Sequence, residues 1–465
     1  MHGPLLQLMS LASPGASDLW FLPLGGTGEI GMNLNLYGHD DRWLMVDCGV
    51  TFADHGSKDP HVQMADPAFI EGRREALCGL VLTHGHEDHL GAVAHLWPRL
   101  RCPVLCTPFA AAVLANKLRE AGLQGKVPLT VLPPDSTFSL GPFQLRYLTM
   151  THSLPEAQAL VLTTAAGTVF HTGDWKLDGA PGLGTPPPES ALRALGEAGI
   201  DALVGDSTNA LTPGYSLSEG SLERDLAKLI QGAPGRVIIT AFGSNIARLH
   251  LFARLAARFD RTPTLLGRSL RTMVQAAAAS GYWDPERRYI DSRDAAYLPA
   301  EACLAVATGS QGDPGAALDR LSRNRHPDLL LEAGDRVIFS ARAIPGNEPL
   351  IEALVERLKR LGVEVISDED HQIHASGHPA QEELKTLYGW LKPELVVPTH
   401  GTPSHMRAHG QLAQRDCGIR ALTGLNGDLF MLRPQAGVRR GWAPVGRLGV
   451  GPKGLVPIAA EGEDA

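Results

Sequence analysis

His84, His86, Asp88 and His89 lie within six consecutive positions of Thr83-His84-Gly85-His86-Glu87-Asp88-His89-Leu90-Gly91. Imidazole and carboxylate are common zinc ligands. So dense a set, placed just after the apolar run Leu80-Val81-Leu82, suits a metal site better than a solvated polar loop. His84 and His86 are two apart, so on an extended segment they point the same way. Asp88 and His89 fall where a helix is expected across 90–96. The four side chains can therefore divide between two adjacent ions.

A dinuclear site needs further donors, and they stand at the ends of other apolar runs. Thr151-His152-Ser153 follows an expected strand at 143–148. Val169-Phe170-His171-Thr172-Gly173-Asp174 ends in a carboxylate able to bridge two cations, and Thr399-His400-Gly401 supplies a last imidazole. A lone histidine after a strand is usually structural. The ordered set is harder to dismiss.

The elements that must position these donors can be read from periodicity. Strands are expected at 19–24, at 33–37 with strict alternation, and at 43–47 after the turn Asp40-Asp41. Residues 182–190, with Pro186-Pro187-Pro188, read as an exposed loop. From about 207 to 370 strands alternate with helices. Runs at 236–240 and 264–267 each precede a helix, and runs at 304–307 and 336–340 each end in a polar, Gly-containing loop, which predicts an α/β unit with a parallel sheet. A further strand at 394–398 precedes His400. The Gly-rich stretch from about 438, ending in Glu461-Gly462-Glu463-Asp464-Ala465, is expected to fray.

Gly26-Thr27-Gly28-Glu29-Ile30-Gly31 fits the dinucleotide fingerprint, with Asp47 about 20 residues on. That fingerprint requires a helix after the glycines, whereas an alternating strand follows. A tight loop beside the metal site is the better reading.

Composition narrows the class. The chain has 465 residues, 20% charged and 44% hydrophobic, an ordinary globular balance with room for two or three domains. Net charge is −8, which excludes a broadly basic nucleic-acid coat but not a local basic groove. The six cysteines show no zinc-ribbon spacing and read as small core residues in a reducing compartment. No apolar run reaches the roughly 18 residues of a membrane span. Residues 1–12 lack Lys and Arg, against a secretory leader.

Taken together, Asp47, the cluster at 84–89, His152, Asp174 and His400 resemble the motifs of the metallo-β-lactamase superfamily. The insertion between Asp174 and His400 resembles the β-CASP domain of its nucleic-acid-processing members. Its marks are Gly205-Asp206-Ser207-Thr208-Asn209, His374-Ala375-Ser376-Gly377-His378 and Pro398-Thr399-His400-Gly401. Within that group the chain resembles the bacterial ribonuclease J family from about residue 19 to 435. Leu22 to Gly31, Phe242-Gly243-Ser244-Asn245-Ile246, Gly267-Arg268-Ser269 and Thr308-Gly309-Ser310-Gln311-Gly312 carry the likeness. Pro379 and Thr402 depart from it, where Ala and Glu are usual. The family usually continues into a separate C-terminal domain, and a form without it is expected.

The resemblance implies an α/β fold: a metallo-β-lactamase αββα sandwich over 1–206 and 371–437, interrupted by a β-CASP domain over 207–370 with a mainly parallel sheet, then a tail over 438–465. It implies two divalent ions, zinc foremost, with manganese or magnesium as alternatives. His84, His86 and His152 would hold one, and Asp88, His89 and His400 the other, with Asp174 bridging. Asp47 would accept from a ligand imidazole and fix its tautomer. A hydroxide between the ions would attack the phosphorus, with Asp88 in the catalytic set. The family pattern places His374 against the scissile phosphate or the leaving group, and Asp206 would position His374 or a metal-bound water, the alternative being a turn or helix-cap residue.

The implied activity is a 5′→3′ ribonuclease that prefers 5′-monophosphate ends of single-stranded RNA, with internal cleavage, in cytoplasmic RNA decay and maturation. A homodimer and association with other RNA-decay factors are expected, and no membrane. Ser244, Asn245, Ser376, Gly377 and His378 are candidates for the phosphate pocket, the alternative being plain tight turns. Arg248, Arg268, Arg271 and Arg342 are candidate phosphate contacts. Rival readings are a DNA nuclease, a hydrolase of small esters or thioesters, and an idle RNA-binding scaffold. The residues themselves carry nothing that senses a 2′-hydroxyl.

Overall fold

The computed structural model describes residues 11–53, 56–284, 286–344, 346–369 and 371–459. Most of the segment weighed as a leader and the acidic end from 461 lie outside the described residues.

The strand Leu19–Gly25 shows why the core forms as it does. Side chains alternate across a sheet, so Leu19 and Phe21 enter one hydrophobic cluster while Trp20, Leu22 and Leu24 enter another. With both faces covered, the strand reads as a continuous apolar run rather than an alternating one. The same division holds for Val81 against Leu80, and for Leu395 and Val397 against Val396.

Two large sheets share the middle cluster. The first has eight strands, in the order Gly437–Arg439, Leu429–Arg433, Leu19–Gly25, Leu34–His39, Arg42–Val46, Leu77–Val81, Val104–Cys106 and Leu129–Val131. The second has seven, in the order Arg420–Ala421, Leu395–Thr399, Ala202–Asp206, Gly167–His171, Gln158–Thr164, Phe143–Thr149 and Thr137–Leu140. The helix Pro108–Glu120 packs on the outer face of the first sheet. Gln381–Leu391 and Pro403–Asp416 pack on the outer face of the second. This is an αββα sandwich.

Between the second and third strands of the second sheet the chain leaves to build another unit. Its five strands, in the order Thr262–Leu266, Cys303–Ala307, Val237–Thr240, Arg336–Phe339 and Glu364–Ile366, are all parallel. Helices such as Ile246–Arg258 and Glu348–Arg360 cover its faces, as parallel sheets require. The expected α/β repeat is this unit.

Two expectations need correction. The helix anticipated at 90–96 is broken. One turn, Glu87–Leu90, precedes a separate helix, Val93–Leu100. The backbone of the break pairs with the connection between Arg42–Val46 and Val50–Phe52 instead: Cys48 N donates to His89 O at 2.7 Å and Ala92 N to Cys48 O at 3.0 Å. Gly49 permits this approach, since a Cβ there would lie 1.7 Å from Asp88 O. The Gly-rich end does not fray before 459. Arg447–Gly451 and Gly454–Ile458 form a hairpin that joins Val62–Ala65 and Val50–Phe52 in a four-stranded sheet. Its glycines make the turn, Gly454 at φ +124, rather than loosening the chain.

The fingerprint-like glycines form a loop, as expected. Gly26, Gly28 and Gly31 all have positive φ, and Gly26 O accepts from His400 N at 2.7 Å. Among the described residues no helix is long and apolar enough to cross a membrane. Cys48, Cys102, Cys106 and Cys303 are buried free thiols, while Cys78 and Cys417 are only partly buried.

Candidate metal centre

Strand direction gathers the donors. The parallel trio Gly167–His171, Ala202–Asp206 and Leu395–Thr399 brings Asp174, Asp206 and His400 to one end of the second sheet. Two antiparallel steps set Phe143–Thr149 in the same direction, which adds His152. In the first sheet Val46 pairs with Val81 in parallel, so Asp47 and Thr83 leave side by side. The donors thus sit in one crevice beyond the carboxyl ends of these strands.

Two four-residue donor groups result, His84 with His86, His152 and Asp174, and Asp88 with His89, Asp174 and His400, beside a third cluster of Asp206, His378 and His400. His84 Nε2 and His152 Nε2 each lie 3.1 Å from His86 Nδ1. Asp174 serves both groups. Its Oδ2 is 3.7 Å from His84 Nε2 and from His152 Nε2, while Oδ1 is 3.2 Å from His89 Nε2 and 3.6 Å from His400 Nε2. Asp88 Oδ2 closes the second group, 3.6 Å from His89 Nε2 and 3.7 Å from His400 Nε2. Tetrahedral bonds of about 2.0–2.1 Å put neighbouring donors about 3.3–3.4 Å apart, and these spacings bracket that value.

Two further observations fit a pair of cations. Asp174 Oδ1 and His400 Nε2 are buried without a hydrogen-bond partner among the described residues. Such orphans are costly unless something else satisfies them. The imidazoles of the first group are also held neutral, with lone pairs free. Burial and neighbouring imidazoles push His84 well down, His86 to about 3 and His152 to about 4. His89 goes the other way: burial opposes its charge, but Asp174, Asp88 and Asp47 outweigh burial and raise its pKa. That carboxylate field favours a cation at the second group. Asp174 itself is held ionised, with burial overcome by His400 and His89.

The far nitrogens are pinned. His89 Nδ1 donates to Asp47 Oδ2 at 2.7 Å, and Thr83 gives Asp47 two more bonds of 2.8 Å. His84 Nδ1 donates to Thr83 Oγ1 at 2.9 Å, so Asp47 orients two imidazoles. His400 Nδ1 donates to Asn33 Oδ1 at 3.1 Å, which leaves Nε2 toward the cluster. We expect Asp47→Asn to lower metal affinity about 10–100-fold, measured by competition with a chelator. Unchanged affinity would make Asp47 a purely structural residue.

Asn33 was not foreseen. Its signal was an asparagine at the head of a buried alternating strand, where that residue is disfavoured. Asn209 was overlooked within a noticed motif. It donates to Ser376 Oγ at 2.7 Å and to His378 O at 3.1 Å.

The histidine beside the metal donors is His378, and His374 is not among them. His378 Nδ1 donates to Asp206 Oδ2 at 2.7 Å, and its ring centroid lies 5.1 Å from that of His152 and 5.8 Å from that of His400. Its side chain keeps 21% exposure, so a substrate can reach it. Although burial opposes the charge, Asp206 raises its pKa to about 9. His374 instead lies 3.1 Å from Arg248 Nη1, and burial with the charge of Arg248 lowers its pKa to about 3. The reason is the turn between them. His378 N donates to Ser376 Oγ, Asn209 clamps that hydroxyl, and the chain swings His378 onto Asp206. Asp206 therefore positions His378.

The expected phosphate pocket also divides. Asn245 is buried with its amide spent: Oδ1 caps the helix Ile246–Arg258 by accepting from Arg248 N, and Nδ2 donates to Glu219, each at 2.9 Å. Gly377 O accepts from His152 Nδ1 at 2.6 Å. Ser376 shapes the turn, and Ser244 stands half-buried one residue before the cap. Arg248 is buried in a network and cannot meet a phosphate, whereas Arg268, Arg271 and Arg342 are exposed.

The comparisons with known proteins agree with this architecture. Residues 31–236 match the metallo-β-lactamase superfamily, 234–358 the ribonuclease J β-CASP domain, and 362–423 the Zn-dependent metallo-hydrolase RNA specificity domain. A crystal structure of a protein of unknown function from Enterococcus faecalis V583 superposes with TM-score 0.61 at 15% identity, covering 89% of this chain and 100% of that one, which speaks for the fold alone. Ribonuclease J of Mycolicibacterium smegmatis is 37% identical across 84% of this chain and 70% of its own, and that of Thermus thermophilus 34% across 95% and 78%. Ribonuclease J of Sinorhizobium meliloti is 41% identical over 436 residues, 93% of this chain and 77% of that one. The chain belongs to the ribonuclease J family.

Proposed function

We propose that this metal-dependent ribonuclease removes nucleotides from the 5′ end of single-stranded RNA, prefers a 5′-monophosphate and also cuts internally. The observation that carries this reading is Asp174 shared between two donor groups, with a protonatable His378 at their open side. Cations held by these donors would supply Lewis-acid polarisation of a phosphodiester and lower the pKa of water. Nitrogen-rich ligation favours zinc, while Asp88 and Asp174 also admit manganese.

The chain's own groups do the rest. Asp206 holds His378 protonated and aimed, so that it can give a proton to the departing 3′ oxygen, leaving a 5′-phosphate on the product. His152 and His400 flank that ring and keep it from turning away. Ser244, half-buried just before the helix Ile246–Arg258, supports a seat for the terminal phosphate, because its hydroxyl can donate to a phosphate oxygen. Arg342, 66% exposed and 3.8 Å from Asp368, is an accessible cation for a strand to follow.

The test is digestion of matched RNAs bearing 5′-monophosphate, triphosphate or hydroxyl ends, and of a 5′-phosphorylated DNA, with Zn²⁺ or Mn²⁺. We expect the monophosphate RNA to be consumed fastest and to release mononucleotides. Equal rates on all ends would overturn the phosphate seat, and preference for the DNA would overturn the RNA reading.

A further inference from the structure

Arg248 is one of the largest fully buried side chains in the molecule, 1% exposed. Every direction of its guanidinium is used. Nε and Nη2 donate to Glu219 at 3.2 and 2.6 Å, Nη2 also to Ala375 O at 2.9 Å, and Nη1 to Ser340 O at 2.7 Å. Glu219 is 3% exposed. A buried ion pair is a poor source of stability, because desolvation cancels much of its attraction. Its presence in the core calls for another explanation, and the residues at the two ends of the network supply one.

At one end, Ala375 stands two residues before Gly377, whose carbonyl takes the His152 Nδ1 proton at 2.6 Å and so turns Nε2 toward the cluster. The contact is tight: a Cβ on Gly377 would lie 2.7 Å from the His152 ring. At the other end, Glu219 N donates to Asp178 Oδ2 at 2.9 Å. Asp178 pairs with buried Lys176 at 2.9 Å, two residues beyond Asp174. The polar path thus leaves the cluster near Asp174, passes through the first turn of the helix Ile246–Arg258 in the inserted unit, and returns at His152. The planar fork of arginine suits this task, since it fixes direction as well as charge.

We propose that Arg248, set by Glu219, is a positioning residue that registers the inserted β-CASP unit against the metal centre, through the Gly377 carbonyl on His152 and the placement of His378. The proposal rests on the metal-site reading above.

The test compares Arg248→Lys with the double replacement Glu219→Met/Arg248→Met, which removes both charges at similar volume and so avoids a stranded ion. Folding is followed by circular dichroism and thermal melting, metal affinity by chelator competition without substrate, and kcat and KM on 5′-monophosphate RNA. We expect both proteins to fold, metal affinity to fall about 10–100-fold, as for partners that orient a ligand, and kcat to fall with KM little changed. Arg248→Lys should recover part of both. Wild-type affinity and kcat in the folded double variant would overturn the proposal. So would a double variant that fails to fold while folded Arg248→Lys keeps wild-type values, which would assign the pair to stability alone. Failure of the wild-type protein to cut RNA would sink the functional reading yet leave the affinity comparison intact.

Discussion

Asp174→Ala is expected to empty both metal positions and to take ribonuclease turnover to background. Its two carboxylate oxygens face different donor groups, so a single substitution withdraws one donor from each. The loss should exceed the about 10–100-fold typical of residues that only orient a ligand. The fold should survive, because the alanine removes a buried charge and leaves the surrounding imidazoles hydrogen-bonded at their far nitrogens to Thr83, Asp47, Gly377 and Asn33. Metal content by elemental analysis, beside RNA decay at fixed protein concentration, gives the answer. Two ions retained with normal turnover would refute the bridging role.

The second large effect separates two histidines four residues apart. His378→Ala should lower kcat by about 10²–10⁴, the usual contribution of a positioned general acid, while both ions stay bound. His374→Ala should spare the chemical step far more, since its neighbour is Arg248 rather than the cluster. A larger kcat loss in His374→Ala than in His378→Ala would reverse this assignment. Asp206→Asn should fall on the side of His378, because that carboxylate accepts its Nδ1 proton.

The metal donors were legible because each follows an apolar strand, and strand ends in a sandwich face one crevice. The same logic could not choose between His374 and His378. That choice depends on a turn built by Ser376 and held by Asn209, a residue 167 positions away from its partner. Asn245 read as a phosphate ligand because Gly-Ser-Asn before a helix suits an anion seat. A buried Glu219 claims its amide instead, and no local pattern announces that contact. The broken helix after His89 was hidden for a similar reason. Its backbone is captured by the connection at Cys48, whereas the local sequence favours continuing the turn. Glycine content does not separate the final hairpin from a frayed end, because the residue that loosens a chain also makes its turn.

The strand Leu395–Thr399 lies second from the edge of its sheet, between Ala202–Asp206 and the short edge strand Arg420–Ala421, and carries His400 at its tip. The other donors run from residue 84 to residue 174, so the second donor group waits for a segment made much later in synthesis. Contacts this distant in sequence close slowly. An emerging chain on the ribosome therefore carries an incomplete blade: the strand that seats His400 arrives only after the inserted unit has been made. Assembly of the second donor group is thereby tied to completion of the sandwich.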